Sequence, residues 1–267
     1  MVETSRAAPH PSGGSLHEAW QAQQPDEPVG LGPLGSGSDY AVFAHHLGVP
    51  SLEFRYVSPQ GINHSRYDTF NWFQRFGDPG YRYGVALADV VGRLLLRLAS
   101  AEVLPFDYTA TADAVTRYLE DLPALVQPAE PEVADRVREA FQSVAEASGR
   151  LRIEAVYLNR AVRRLLARGA DDLAGRGETL RELNALLMQA ERDLIDERGL
   201  PRRPWYRYLI DAPGYYEGYA AKALPGVREA LEESEWELAI EQASRLVEGL
   251  RRVTSTVARA TDVARAP

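Results

Sequence analysis

The chain has 267 residues and no cysteine. Disulfides, thiolate zinc sites and a cysteine nucleophile are therefore excluded, and any metal must be held by His, Asp or Glu. Hydrophobic residues make up 45% of the chain, which is enough for a core and argues against wholesale disorder. The formal net charge of −8 disfavours a nucleic-acid partner, because proteins of that class present basic surfaces.

The first part of the chain predicts little regular structure. Residues 1–36 predict an irregular segment with one short helix, which Ser15 can cap. Residues 40–47 predict a second short helix that stops at Gly48. Residues 49–57 predict a β-strand, because β-branched and aromatic residues are frequent there and the side chains roughly alternate.

No segment predicts membrane insertion. Residues 1–14 lack the apolar stretch of a signal peptide. Residues 85–101 are apolar, but they are too few to span a bilayer and include charged side chains. We expect no membrane segment and a bacterial source, and the composition does not define a compartment.

The remainder of the chain predicts helices. Apolar residues recur at three- and four-residue steps in the ranges 67–76, 80–102, 107–122, 131–167, 179–197 and 235–262. The long amphipathic ranges among these are typical of a helical bundle. Residues 199–226 predict a long loop rich in Pro, Gly and aromatic residues, and such loops are usually functional. The arginine pair 202–203 within it is interpreted as solvent-exposed.

These elements predict an α+β protein with two parts. Residues 1–102 form a small mixed fragment, and residues 103–267 form a mainly helical bundle. One predicted strand cannot make a sheet, so the first part is interpreted as a fragment of a larger domain.

Four segments give the chain a resemblance to a known family. They read LGSGSDY (34–40) with HLGVP (46–50), HSRYDTF (64–70), VLPFDY (103–108), and GLPRRPWYR (199–207) with YA (219–220) and LPG (224–226). In this order and spacing, the chain resembles the carboxy-terminal part of zinc exopeptidases of the glutamate carboxypeptidase II and transferrin receptor-like superfamily. The resemblance implies that residues 1–102 end a zinc-peptidase catalytic domain. It implies that residues 103–267 are a transferrin receptor-like dimerisation domain.

The resemblance makes His64 a zinc ligand. An imidazole in a polar loop suits zinc, although without the motif His64 would be interpreted as an ordinary loop histidine. A two-zinc hydrolytic centre needs several ligands and a carboxylate base, which the family supplies from segments that this chain lacks. We therefore expect no catalytic residue and no stably bound zinc in this chain by itself.

The resemblance also assigns a substrate-binding role to Ser36, Gly37, Ser38 and Tyr219. The first three match a loop that lines the substrate cleft, and Tyr219 matches a residue that contacts the terminal carboxylate of the substrate. Gly218 stands where relatives have a lysine, so only a hydroxyl donor would remain. The alternatives are a simple turn for residues 36–38 and an aromatic ring packed into the bundle for Tyr219.

Two further positions match substrate-binding residues of the family. Arg55 matches an arginine that faces an acidic substrate side chain, but Glu53 replaces a second arginine and would partly neutralise it. An ion pair along the strand is the alternative. Asn63 stands where close relatives have a tyrosine that polarises the reacting carbonyl, which weakens the expectation of full catalytic power.

Three functions remain open from the sequence. The chain could be the carboxy-terminal portion of an exopeptidase that hydrolyses a peptide bond at a chain end, inactive alone. It could instead be a non-catalytic homodimerisation module, or a truncated product that barely folds. The long amphipathic helices and the resemblance predict a homodimer through residues 103–267, with a peptide substrate only in the first case.

Overall fold

A computed structural model describes residues 2–25, 29–30, 32–57, 61–127, 129–216 and 218–266. The chain forms two compact units. The small unit comprises Met1–Gly32 and Glu53–Ala101, and the helical unit comprises Pro33–Leu52 and Glu102–Pro267.

The secondary structure is mainly helical. In chain order the helices are α1 (Val2–Ala7), α2 (Leu16–Gln23), α3 (Tyr40–His45), α4 (Phe70–Trp72), α5 (Arg82–Ala99), α6 (Tyr108–Glu120), α7 (Pro131–Leu166), α8 (Ala170–Ala174), α9 (Gly177–Arg192), α10 (Pro225–Glu232) and α11 (Trp236–Arg265), and the strands are β1 (Asp211–Pro213) and β2 (Ala221–Ala223). A π-helical turn, Phe73–Gly77, continues α4, and a 3₁₀ turn, Leu122–Val126, follows α6. The predicted α+β class with a mainly helical part is confirmed.

Helix α2 begins at the predicted cap. The Ser15 hydroxyl accepts the N–H of Glu18 at 3.2 Å, and the Glu18 carboxylate accepts the N–H of Ser15 at 2.7 Å. This reciprocal pair satisfies two backbone donors that a helix start leaves without partners. The prediction of only one helix in residues 1–36 is wrong, because α1 precedes it.

Residues 49–57 have no regular secondary structure, so the predicted strand there is wrong as well. No strand pairs with them in the described residues, and a segment without a paired neighbour forms no sheet. The predicted alternation is present: Phe54 and Tyr56 are partly buried, whereas Glu53 and Arg55 are exposed.

The core of the helical unit lies between three long helices. Helix α11 packs along α7 and α9, and α6 packs on α7. The helix faces that meet carry fully buried leucines at helical spacing: Leu151, Leu158 and Leu165 on α7, Leu183 and Leu187 on α9, and Leu246 and Leu250 on α11. Burying one such side chain contributes about 1.5–3 kcal/mol to the free energy of folding. The repeated leucines therefore favour packing of the three helices as a bundle.

The predicted loop at residues 199–226 contains a β-hairpin and the start of a helix. Strands β1 and β2 pair antiparallel, with Ala212 opposite Lys222, and α10 begins directly after them. The strands are three residues long and contain no β-branched side chain. For that reason the strand pattern is absent from the sequence.

Residues 33–52 join the helical unit through α3 and the turn after it. The carbonyl oxygen of His45 accepts the N–H groups of Arg207 at 2.7 Å and Tyr208 at 3.1 Å. Gly48 has φ +63° and lies against α9 and the residues that follow it: a Cβ there would be 2.7 Å from Ile195 and 3.1 Å from Arg192. Only glycine combines this backbone conformation with that closeness.

The described residues include no helix that is a candidate for a membrane span. None of the described helices has the length and apolarity needed to cross a bilayer.

Candidate functional site

Two polypeptide segments meet in the helical unit, and we call them the paired loops: residues 33–38 and the described residues of the hairpin turn, 214–216 and 218–220. The N–H of Ser36 donates to the carbonyl oxygen of Tyr219 at 3.2 Å, and the Ser36 hydroxyl donates to that of Gly218 at 3.1 Å. Gly35 is buried, and a Cβ on it would overlap the Tyr219 carbonyl oxygen and lie 3.0 Å from the Ala221 nitrogen. The contact is therefore between backbones and leaves no room for a side chain at Gly35.

The paired loops bring four of the predicted substrate-binding residues onto adjoining segments. Gly37 and Ser38 are exposed beside Ser36, and Tyr219 is 69% exposed on the opposite turn. The alternative explanation for Tyr219 was a ring packed into the bundle. The exposed ring in the structure does not agree with that alternative. Its hydroxyl and that of Ser38 are donors of the kind that orient a carboxylate.

A buried histidine–aspartate hydrogen bond anchors the paired loops. The Nε2 atom of His45 lies 3.2 Å from one carboxylate oxygen of Asp211, and the other oxygen accepts the N–H of Leu34 at 3.3 Å. His45 is fully buried, and its Nδ1 has no hydrogen-bond partner among the described residues. An N–H on Nε2 can donate to Asp211, so one carboxylate links α3, β1 and the first of the paired loops.

Further titratable groups lie behind Asp211. The Tyr208 hydroxyl donates to the Glu191 carboxylate at 2.8 Å. Burial raises the pKa of the Glu191 carboxyl, an effect that this hydrogen bond opposes and the negative charge of Asp211 reinforces. Burial likewise raises the pKa of Tyr208, and the charge of Glu191 adds to it. Burial therefore disfavours the charged forms of both Glu191 and Tyr208.

Arg203 holds the other side of the hairpin. Its guanidinium donates to the Glu229 carboxylate at 2.7 Å and to the carbonyl oxygen of Pro213. The same oxygen of Glu229 accepts the N–H of Tyr215 at 2.8 Å. The Arg203 side chain is only 10% exposed, so the interpretation of this arginine as a solvated side chain is wrong.

His45, Asp211 and Arg203 were not predicted as supporting residues. No motif includes His45 or Asp211, and the two are separated by 166 positions in the chain. The neighbouring His46 stacks on the Trp205 ring and bonds the Trp205 carbonyl oxygen at 2.8 Å.

The remaining predicted site residues lie in the small unit. Asn63 and His64 are exposed in a loop, where His64 has φ +62° and its N–H donates to Asp68 at 3.3 Å. The described residues contain no group of three or more His, Asp or Glu side chains that could hold a metal. His64 alone does not fit a two-zinc centre, so no chemical step is assigned to zinc here.

Arg55 is exposed and lies two positions from Glu53. Within the described residues neither side chain forms an ion pair or a hydrogen bond. The ion pair that was the alternative explanation for Arg55 is therefore absent from the structure.

The long helices α7, α9 and α11 coincide with a segment that matches a known domain family. The family model of the Transferrin receptor-like dimerisation domain matches residues 134–258. The chain is 32% identical to a probable glutamate carboxypeptidase of Arabidopsis thaliana over 247 residues, which are 90% of this chain and 34% of that protein. Over most of its length the chain is therefore related to the glutamate carboxypeptidase-like proteins, and it contains a transferrin receptor-like dimerisation domain. The resemblance drawn from the four segments is confirmed.

Other relatives differ in their described activities. The chain is 28% identical to an aminopeptidase of Rattus norvegicus, over 78% of this chain and 28% of that protein. It is 24% identical to an inactive zinc metalloprotease of Schizosaccharomyces pombe, over 82% of this chain and 28% of that protein. The chain thus spans about a third of the length of these relatives. They come from a plant, a mammal and a yeast, which does not support the expected bacterial source.

Proposed function

We propose that this chain supplies the substrate-carboxylate contacts and the dimerisation domain of a zinc-dependent exopeptidase, and that it does not hydrolyse peptides by itself. The observation that supports this most directly is the pair of hydrogen bonds from Ser36 to residues 218 and 219. These bonds hold together two loops that carry the exposed hydroxyl donors of Ser38 and Tyr219, and hydroxyl donors of this kind can bind a terminal carboxylate. Relatives described as a carboxypeptidase and as an aminopeptidase both act at chain ends.

Zinc enters this proposal through His64. The name zinc metalloprotease of one relative supports zinc in the lineage, and an imidazole is a normal zinc ligand. His64 would provide one ligand of a centre whose other ligands come from additional polypeptide. One imidazole binds zinc too weakly to keep it through dialysis, so the chain alone would retain no stoichiometric zinc.

The test for the carboxylate contacts is a binding experiment with the purified chain. An N-acetylated dipeptide with a free carboxylate should bind more tightly than its carboxyl amide, as measured by NMR titration. Tyr219→Phe should remove most of that difference. Tyr216→Phe is the matched control, since Tyr216 is 77% exposed on the same turn and should leave the difference unchanged. Equal binding of the acid and the amide to the unaltered chain would contradict the carboxylate contacts.

The second part of the proposal is tested by turnover. The chain alone, with added zinc, should release no amino acid from a panel of dipeptides. Chelator-sensitive hydrolysis by the chain would show that this part is wrong.

A second candidate is a homodimerisation module without catalysis. It is favoured by the family match over residues 134–258 and by the relative described as inactive. This candidate requires association of two copies but no preference for a free peptide carboxylate. The acid-and-amide comparison therefore separates the two candidates.

A further inference from the structure

Helix α7 presents one exposed row of side chains whose charge changes sign along the helix. Five exposed residues recur every seven positions: Glu132, Glu139, Glu146, Ile153 and Arg160. Seven residues are nearly two turns of an α-helix, so these side chains form one stripe with little drift. We call this row the α7 stripe. It is acidic before Ile153, apolar at Ile153 and basic after it.

The two charges nearest to the apolar centre of the α7 stripe have no ionic partner in the described chain. Glu146 accepts a hydrogen bond from the neutral Gln142 amide at 3.1 Å, and neither Glu146 nor Arg160 forms an ion pair among the described residues. On another side of the same helix, Arg152 pairs with Asp113 of α6 at 2.8 Å. The charges of the stripe are therefore available to a second molecule.

A second copy of α7 supplies the missing partners only if it runs antiparallel. Glu146 and Arg160 both lie seven residues from Ile153, on opposite sides of it. A two-fold axis at Ile153 therefore brings Glu146 opposite the partner's Arg160, and the same contact occurs twice. A parallel copy would place like charges against each other, Glu146 on Glu146 and Arg160 on Arg160, and these repel.

We infer that two copies of this chain associate through antiparallel α7 helices, with Ile153 at the two-fold axis and Glu146 paired with the partner's Arg160. Both copies use the same surface, so the pair closes as a dimer and does not extend further. The family match covers the stripe from residue 134 onwards. The inference rests on the dimerisation part of the proposed function and adds the direction and register of the contact.

A second pair of positions agrees with this register. Gln142 and Arg164 are exposed and lie eleven residues from Ile153, one on each side. Eleven residues are close to three turns, so both positions stay on the side of the stripe. The amide nitrogen of Gln142 already donates to Glu146, which leaves its oxygen to accept from the guanidinium of the partner's Arg164.

Charge reversal tests the pairing. Glu146→Arg and Arg160→Glu each replace attraction by repulsion at two symmetry-related contacts, so each should raise the dissociation constant of the dimer at least about fivefold. The double variant, Glu146→Arg with Arg160→Glu, restores opposite charges and should bring the constant back to within about threefold of the original. Analytical ultracentrifugation over a micromolar concentration series measures these constants.

Arg251→Glu is the matched control for the single reversals. Arg251 is an exposed arginine on α11, outside the stripe, and the substitution makes the same change of charge as Arg160→Glu. It should leave the dissociation constant within a factor of about two.

The absence of cysteine from the chain allows the direction of the helices to be measured separately. Chains with Glu146→Cys and chains with Arg160→Cys are treated with a short bismaleimide crosslinker, alone and as an equilibrated mixture. In the antiparallel pair the two cysteines of a mixed dimer face each other. In a dimer of one variant they are about 21 Å apart along the axis, from 1.5 Å of rise per residue. The mixture should therefore crosslink, and neither variant alone should do so.

The possible failures are distinguishable. Crosslinking of Glu146→Cys with itself would show a parallel pair and overturn the inference. A dimer in which the double variant is as weak as the single reversals, or in which Arg251→Glu is equally weak, would contradict the register while leaving dimerisation intact. A monomer at all concentrations in the unaltered chain would contradict dimerisation itself and the inference with it.

Discussion

His45 and Asp211 form a buried hydrogen-bonded pair, with 3.2 Å between Nε2 and the carboxylate oxygen. His45 is fully buried, and the Asp211 side chain is 15% exposed. Because Asp211 also accepts the N–H of Leu34, the pair determines where the first of the paired loops lies relative to the hairpin. The proposed carboxylate contacts therefore depend on two residues that contact no substrate.

Replacing His45 tests this dependence. His45→Leu removes the donor and leaves the Asp211 carboxylate without its main partner, which should cost about 1–3 kcal/mol in the free energy of unfolding. His45→Gln keeps an N–H donor and should restore most of that loss. Urea denaturation measures the free energies. Hydrogen exchange of the Leu34 and Ser36 amides should accelerate in His45→Leu more than in His45→Gln. Equal exchange rates in both variants would show that the pair does not position the loop.

Gly35 gives a sharper test of the paired loops, because the helical unit also provides a glycine outside these loops as a control. Gly35→Ala introduces a Cβ that overlaps the backbone of Tyr219, and backbone atoms cannot rotate away as a flexible side chain can. The loops must separate, so the preference for a peptide acid over its amide should fall at least about tenfold, which corresponds to 1.4 kcal/mol. The same dipeptide titration measures it.

Gly149→Ala on α7 is the control for that substitution. A Cβ on Gly149 meets no atom within 4 Å, so this variant should bind the dipeptide as the unaltered chain does. If Gly149→Ala lost as much binding as Gly35→Ala, the closeness of Gly35 to Tyr219 would not be the cause.

Glu191 predicts an unusual dependence of stability on pH. Burial raises the pKa of its carboxyl above the ordinary value. Because its folded-state pKa is raised, the Glu191 carboxyl contributes its full stabilisation only below its unfolded-state pKa of about 4.3. That stabilisation is lost as the pH rises through the folded-state pKa of Glu191. Glu191→Gln stays neutral and keeps an acceptor for Tyr208. It should therefore stabilise the helical unit at pH 7 by on the order of 1 kcal/mol, or roughly 2–4 °C in Tm.

Thermal unfolding followed by circular dichroism at several pH values checks this prediction. The gain from Glu191→Gln should disappear below about pH 4. Glu182→Gln, on the exposed side of α9, should show no such gain at any pH. A lower Tm for Glu191→Gln at pH 7 would mean that the ionised carboxylate is stabilising and that the direction is wrong.

The sequence predicted the features that local patterns encode. The leucines of α7, α9 and α11 recur at helical spacing, and burial of such residues dominates folding free energy. The Ser15 cap was visible for a similar reason, since both partners of the capping box lie within four residues.

The features that the sequence did not predict depend on distant partners. The hairpin strands are held by Asp211 and Arg203, whose contacts join residues far apart in the chain or in different elements. The predicted strand at 49–57 failed for the opposite reason: its composition favours a strand, but no partner strand lies beside it in the described residues. Strand formation is a property of a pair, so one segment cannot reveal it.

Self-association of the helical unit should involve α7. Ile153 is 55% exposed and Tyr157 is 42% exposed, and residues four apart lie on one face of a helix. The match to a dimerisation domain covers both positions, and exposed apolar side chains in such a domain are expected at its interface. We therefore expect a homodimer of this chain whose interface includes this face.

Ile153→Glu tests that face of α7. A carboxylate there would be desolvated in the dimer, so the dissociation constant should rise at least about tenfold. Light scattering over a micromolar concentration series measures the constant. Ser143→Glu adds the same charge at an exposed position of the same helix without removing an apolar side chain, and it should leave the constant within a factor of about two. A monomer at all concentrations in the unaltered chain would contradict the homodimer itself. An equal effect of both variants would mean that the added charge matters and the Ile153 contact does not.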